Sequence, residues 1–118
     1  MGFSLTTMAA DLQTTDGTPQ SAGTFDVPDN TQVTLDLKIK AFATDGTSKV
    51  FFHRAALKRS SGGNCSLIST LQELINDLLV GWSFSSSASG AQLQLTITGE
   101  NGKTINWSLS GTIEFFTP

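Results

Sequence analysis

The stretch "TITGENGKTINW", residues 96–107, contains Gly102-Lys103-Thr104, three letters that in a phosphate-binding loop would grip a nucleotide. That loop needs a further glycine five positions before Gly102, and Ile97 stands there. It also needs a helix after the Thr, whose N-terminal N–H groups face the phosphate. From Thr104 onward the chain instead reads "TINWSLSGTIEFF", with Ile105, Trp107, Leu109, Ile113 and Phe115 at period two, the mark of a strand. Asn101-Gly102 is a hairpin signal. Lys103 therefore reads as a solvated turn residue.

The remaining reactive types are sparse. His53 is the single histidine and Cys65 the single cysteine. A general base needs a positioned partner within hydrogen-bond reach, and zinc needs several His or Cys ligands. His53, between Phe52 and Arg54, reads as structural, and Cys65 as a small residue near a strand start. Cys65 has no partner in the chain for a disulfide. The carboxylates Asp16, Asp29, Asp45 and Glu100 sit in turns, without the D-x-D-x-D-G spacing of a calcium loop and without a marked facing pair for glycoside hydrolysis. The expectation is a non-enzymatic chain without a cofactor or resident metal.

Composition narrows the class further. The chain has 118 residues, enough for one domain with a modest core. Only 14% are charged, and Ser and Thr make up roughly a quarter. β-Branched Thr suits solvent-facing strand positions. A net charge of -3 gives no basic stripe for phosphates, which argues against nucleic acid. No run approaches the ~20 apolar residues of a membrane span, and the N-terminus lacks the basic and apolar regions of a secretory signal. Met1-Gly2-Phe3-Ser4-Leu5-Thr6 fits the short, common myristoylation pattern and carries no weight alone.

The elements are read from periodicity. Residues 1–22 carry little strand patterning and end in "TTDGTPQSAG"; they are expected as an extended arm, with one sandwich domain over 23–118. "TQVTLDLKIKAFA", 31–43, alternates strictly and is a half-buried strand. Asp45-Gly46 turns it into "KVFFHRAALKR", whose alternation is blurred: either a bulge intervenes or one of Phe51 and Phe52 is exposed. In "TLQELINDLLVG", Leu71, Leu74, Ile75, Leu78 and Leu79 fall at helical spacing, Thr70 and Glu73 form a capping box, and Gly81 can end the turn. That spacing predicts a short helix or irregular crossover near 70–80. "VGWSFS" and "AQLQLTITG" alternate again. The sum is an all-β chain, a two-sheet antiparallel sandwich of about six to eight strands.

Trp82 and Trp107 share faces with aliphatic neighbours and are expected in the core rather than as a sugar platform. The aromatic and aliphatic residues out of phase with the core are Phe3, Leu5, Phe42, Phe51 (or Phe52) and Phe116; these are the candidate interface. The final strand, ending "EFFTP", is expected to offer an unpaired edge for strand addition.

Taken together, "LQTTDGTPQSAGTFDVPDNTQVTLDLKIKAFATDG", "ALKRSSGG" and "LQLTITGENGKTINWSLSGTIEF" resemble a small β-sandwich domain of virion proteins in tailed bacteriophages. The shared pattern is a "TTD-x-TP" opening, a "vPd-x-t" turn, a "kR" before a Gly-rich turn and a "vtG-x-x-GKt-x-xW" hairpin, over residues 12 to 116. Residues 71–80 depart from it, since that family has a more polar, strand-like stretch there. The resemblance implies a structural virion component, with no catalytic residues to carry over. The reading is a capsid decoration (cement) protein bridging major capsid subunits, forming a homo-oligomer in the particle, with no nucleic acid or membrane as partner. A tail fibre or tail adaptor component is the alternative, and a carbohydrate-binding module the alternative from another class.

Overall fold

The computed structural model describes residues 2–76 and 81–118. Eight strands make two antiparallel sheets. They are β1 (Gly2–Thr14), β2 (Gln20–Asp26), β3 (Thr31–Ala43), β4 (Ser48–Arg59), β5 (Cys65–Asn76), β6 (Ser83–Ser89), β7 (Gln92–Thr98) and β8 (Ile105–Thr117). The larger sheet has the order β1-β8-β3-β4-β5, and the smaller has β2-β7-β6. The chain starts in the large sheet, visits the small one at β2, returns for β3 to β5, and crosses again for β6 and β7 before β8.

The strictest alternation lies on the central strand of the large sheet. Along β3, Val33, Leu35, Leu37, Ile39 and Ala41 are buried while every intervening residue is exposed. One face packs on the core and the other meets water, as antiparallel sheets allow. Opposite them, Leu93, Leu95 and Ile97 of β7 and Phe84 of β6 close the core from the small sheet. Trp82 and Trp107 are both buried in this core, with ring centroids 6.5 Å apart. Trp107 donates its indole N–H to Thr14 Oγ1 at 2.9 Å, so its polar edge is satisfied inside.

Expectations change at several elements. Residues 70–76 are not helical: they belong to β5 and pair with β4 from Lys49↔Asn76 to Ala55↔Thr70. Long-range pairing along β4 overrides the local helical spacing; Leu78 and Leu79 lie outside the described residues. The final strand is not an edge, because β8 is flanked by β1 and β3. The edges of the large sheet are β1 and β5. Phe51 is not the exposed member of its pair: it is 1% exposed and stacks on Trp107 at 6.2 Å, while Phe52 faces outward. Residues 2–14, expected within an arm, run beside β8 in full register from Gly2↔Thr117 to Thr14↔Ile105.

β4 reads as blurred for a definite reason. Its inward positions include Lys49 and His53, and its outward positions include Val50 and Phe52. The alternation of burial is intact; the alternation of polarity is not. The one register shift lies further along, between Ala56 and Leu57, where Ile68 of β5 has no partner on β4.

Close approach of β8 to β3 depends on Gly111. Its φ is 149°, and a Cβ there would run into the Asp36 carbonyl and come within 2.8 Å of Leu37 Cα. Gly111→Ala is expected to cost roughly 2–5 kcal/mol of stability, combining backbone strain with overpacking against main chain. Gly46→Ala, at a φ of 91° with open space around it, is expected to cost only about 1–2 kcal/mol. Chemical denaturation of the two variants checks the ordering.

Candidate assembly surface

β5 is an edge strand with apolar groups on both faces. Its register with β4 puts Leu71 and Ile75 beside Arg54 and Val50 on the outer face, and Leu74 beside Phe51 on the inner face. Leu71 is 71% exposed, Ile75 57% and Leu74 47%. Leu67 and Ile68 are exposed as well. A helical spacing of apolar residues, laid out as a strand, necessarily divides them between the two faces. The small sheet covers the inner face too little to bury its share.

Apart from Cys65, whose N–H donates to the Gly90 carbonyl at 2.6 Å, the backbone of β5 has no strand beside it on the side away from β4 among the described residues. Natural edges are commonly blunted with Lys, Pro or charge. Here the strand carries a single charged residue, Glu73, and no Pro or Lys. The irregularity at Ile68 interrupts regular pairing near its start, which leaves Ser69–Asn76 as the continuous open edge.

The five residues singled out from sequence do not form one patch. Phe3 lies directly opposite Phe116, and Leu5 opposite Glu114, so Phe3, Leu5 and Phe116 share one corner of the outer face. Phe3 and Leu5 sit in the part of β1, residues 2–7, that is exposed on both faces. Phe42 stands ten residues along β3 from Gln32, the neighbour of Phe116, or roughly 33 Å away at strand rise. Phe51 is in the core. The β5 residues Leu67, Ile68, Leu71, Leu74 and Ile75 were not among the candidates. The signal that could have found them was the conflict at 71–80 itself: apolar residues too many and too evenly spread for one strand face.

Between the two apolar regions, a shallow groove of about 600 Å³ crosses the outer face over Thr34, Asp36, Arg54, Ser69 and Glu114. Arg54 Nε lies 3.7 Å from Asp36 Oδ1, with both side chains mostly exposed. Thr34 Oγ1 donates to Glu114 Oε2 at 3.3 Å. Solvated pairs of this kind contribute little stability.

The Gly-Lys-Thr stretch is committed elsewhere. Lys103 Nζ sits 3.0 Å from Asp45 Oδ2 and 3.7 Å from Glu100 Oε2, and lies over the Trp82 ring at 5.7 Å. Trp82 in turn donates its indole N–H to Glu100 Oε1 at 3.1 Å. Lys103 thus fastens the β3–β4 turn to the β7–β8 turn above a core tryptophan. Hydrogen bonds from the Thr47 backbone N–H and side chain, then from Lys103, lower the Asp45 carboxyl to about 2. The hydrogen bond to Asp45 raises Lys103 above its ordinary value. Among the described residues, no three His, Cys, Asp or Glu side chains gather in a way that could hold a metal ion.

No family model and no curated protein matches the chain. Among solved structures, a tailspike protein of the Acinetobacter baumannii bacteriophage Fri1, a capsular polysaccharide depolymerase, aligns with a TM-score of 0.35 and 12% identity. The alignment covers 93% of this chain and 17% of the tailspike chain. A likeness at that level establishes neither a shared fold nor a shared activity.

Lys103→Ala is expected to raise the Asp45 carboxyl only part of the way from about 2 towards 3.8, because the Thr47 donors remain. Asp45 is a depressed acid, so its share of stability is present above 3.8 and is lost as pH falls through about 2. A carboxyl-detected NMR titration of wild type and variant reads the shift directly.

Proposed function

We propose that the chain is a structural protein of the tailed-phage particle that works by adhesion to other proteins. The observation that carries this reading is β5, an edge strand exposed on both faces from Ser66 to Ile75 with Glu73 as its one charge. A partner that adds a strand there satisfies backbone N–H and C=O groups and removes Leu71, Leu74 and Ile75 from water in one step. The sequence resemblance to virion sandwich domains supports the same reading.

The finer placement we infer is capsid decoration, with the protein bridging major capsid subunits. Repetition over a symmetric shell then makes many modest contacts collectively strong. Contacts with further copies of this chain belong to the same reading, as does the corner formed by Phe3, Leu5 and Phe116. A tail fibre or adaptor is the second placement, and the adhesion chemistry is common to both.

Cryo-electron microscopy of particles carrying the protein is the first test. Density on the shell in a symmetry-related array is the expected result; density confined to the tail supports the second placement; absence from the particle overturns both. A paired mutation probes the edge. Leu71→Lys with Ile75→Lys replaces two exposed side chains, so the fold is expected to survive with little change in melting temperature. Binding to particles stripped of the protein is expected to weaken at least roughly tenfold, equivalent to about 1.4 kcal/mol. Unchanged binding by a folded double variant would remove β5 from the interface.

A further inference from the structure

We propose that His53 is an acid-sensitive latch that holds the edge strand β5 against β6. The imidazole is buried between the sheets, 3% exposed, with Phe84 packed edge-on at 4.9 Å. Its Nε2 lies 2.7 Å from Ser86 Oγ on β6, and its Nδ1 lies 2.9 Å from Gln72 Nε2 on β5.

These contacts fix the protonation state. Gln72 Nε2 also donates to the Phe84 carbonyl at 3.0 Å. A carbonyl can only accept, so the amide NH2 end of Gln72 must point this way. The same NH2 group then faces Nδ1, which must accept and so carries no proton. The ring proton sits on Nε2 and is donated to the Ser86 hydroxyl. This tautomer also excludes a Ser–His dyad in which the ring takes the Ser86 proton. Every polar atom in the cluster is satisfied only while the imidazole is neutral.

An imidazolium has N–H on both nitrogens. The new Nδ1–H would point at the Gln72 NH2 group, donor against donor, at the partly buried edge of the ring. The surroundings offer the charge no compensation among the described residues. On β4 the nearest inward ionisable residue is Lys49, four positions along the strand, whose Nζ donates to the Trp82 carbonyl at 2.8 Å. β6 carries no ionisable side chain. Glu73 of β5 is exposed and registers with Phe52 on the outer face. The inward residues of β3 are Leu35, Leu37 and Ile39.

Burial acts in the same direction and lowers the His53 value below 6.5. A group of this kind contributes its full stability above the unfolded value of 6.5. The contribution falls as pH drops below 6.5 and levels off once the native ring protonates. β5 is the element that gives way, because among the described residues β4 is its one neighbour in the sheet and, beyond the Cys65 N–H to Gly90 carbonyl bond at its start, Gln72 ties it to β6. The latch rests on these hydrogen bonds rather than on the assembly reading, so the two can fail separately.

His53 is the single histidine of the chain, so its ring nitrogens need no assignment in a ¹⁵N NMR spectrum. The expected spectrum near pH 7.5 is the neutral Nε2–H tautomer, with a midpoint below 6.5. As pH falls from 6.5 to that midpoint, hydrogen exchange at Ser69–Asn76 is expected to accelerate by up to about tenfold per pH unit after correction for intrinsic rates, while β3 and β8 keep their protection. Gln72→Glu, whose carboxylate accepts from Nδ1–H, is expected to move the midpoint above 6.5. An Nδ1–H tautomer, a wild-type midpoint at or above 6.5, or acid-induced exchange that is absent or uniform across all strands would overturn the latch. So would a folded Gln72→Glu variant with an unshifted midpoint. The wild-type spectra decide the matter if that variant does not fold.

Discussion

A flat sheet that does not close on itself has two edges, and each edge strand carries a row of backbone N–H and C=O groups with no neighbour. The large sheet here ends in β1 and β5. The two edges are managed differently. β1 lies beside β8 along its whole length, and its second half places Met8 and Thr14 in the core. β5 has β4 on one side, incomplete cover from β6, and apolar side chains turned to water on both faces. Among the described residues nothing covers that surface or pairs that backbone, and the adhesive role proposed above rests on this one constraint.

The interior explains how such a strand stays in place. β4 gives up two core positions to polar groups, Lys49 and His53, and both reach across the core: Lys49 to the Trp82 carbonyl just before β6, His53 to Ser86 within it. Gln72 joins the same layer from β5. No buried side-chain nitrogen or oxygen among the described residues is left without a partner. A fully satisfied polar layer fixes register and orientation where an apolar layer would only attract. The far end of the sandwich-like core is closed by Lys103, Asp45 and Glu100 around Trp82. Ion pairs therefore secure the turns, while buried hydrogen bonds secure the seam.

Much of this was legible from sequence where one rule acted alone. β3, β7 and the first half of β8 alternate in polarity because each packs one face on the core. Lys103 was recognisable as a turn residue because Ile97 stands where a phosphate loop needs glycine. The core positions of Trp82 and Trp107 followed from their aliphatic neighbours. The failures came where two rules competed. Leu71, Leu74 and Ile75 satisfy a helix locally, and only pairing with β4, distant in sequence, makes them a strand. Phe51 and Phe52 could not be separated because Lys49 and His53 hide the inward phase of β4. The N-terminal residues carry small and polar side chains on the inner face, since the small sheet does not extend over them; no alternation therefore announced β1. In each case the missing information was a long-range partner rather than a local preference.

Hydrogen exchange measured on the free protein and on the same protein bound to the proposed phage particle tests the central claim most directly. Amides of Ser69–Asn76 are expected to gain protection on assembly, in a pattern that marks an added strand along the outer side of β5. Exchange at β5 that is equally fast in both states would contradict the account.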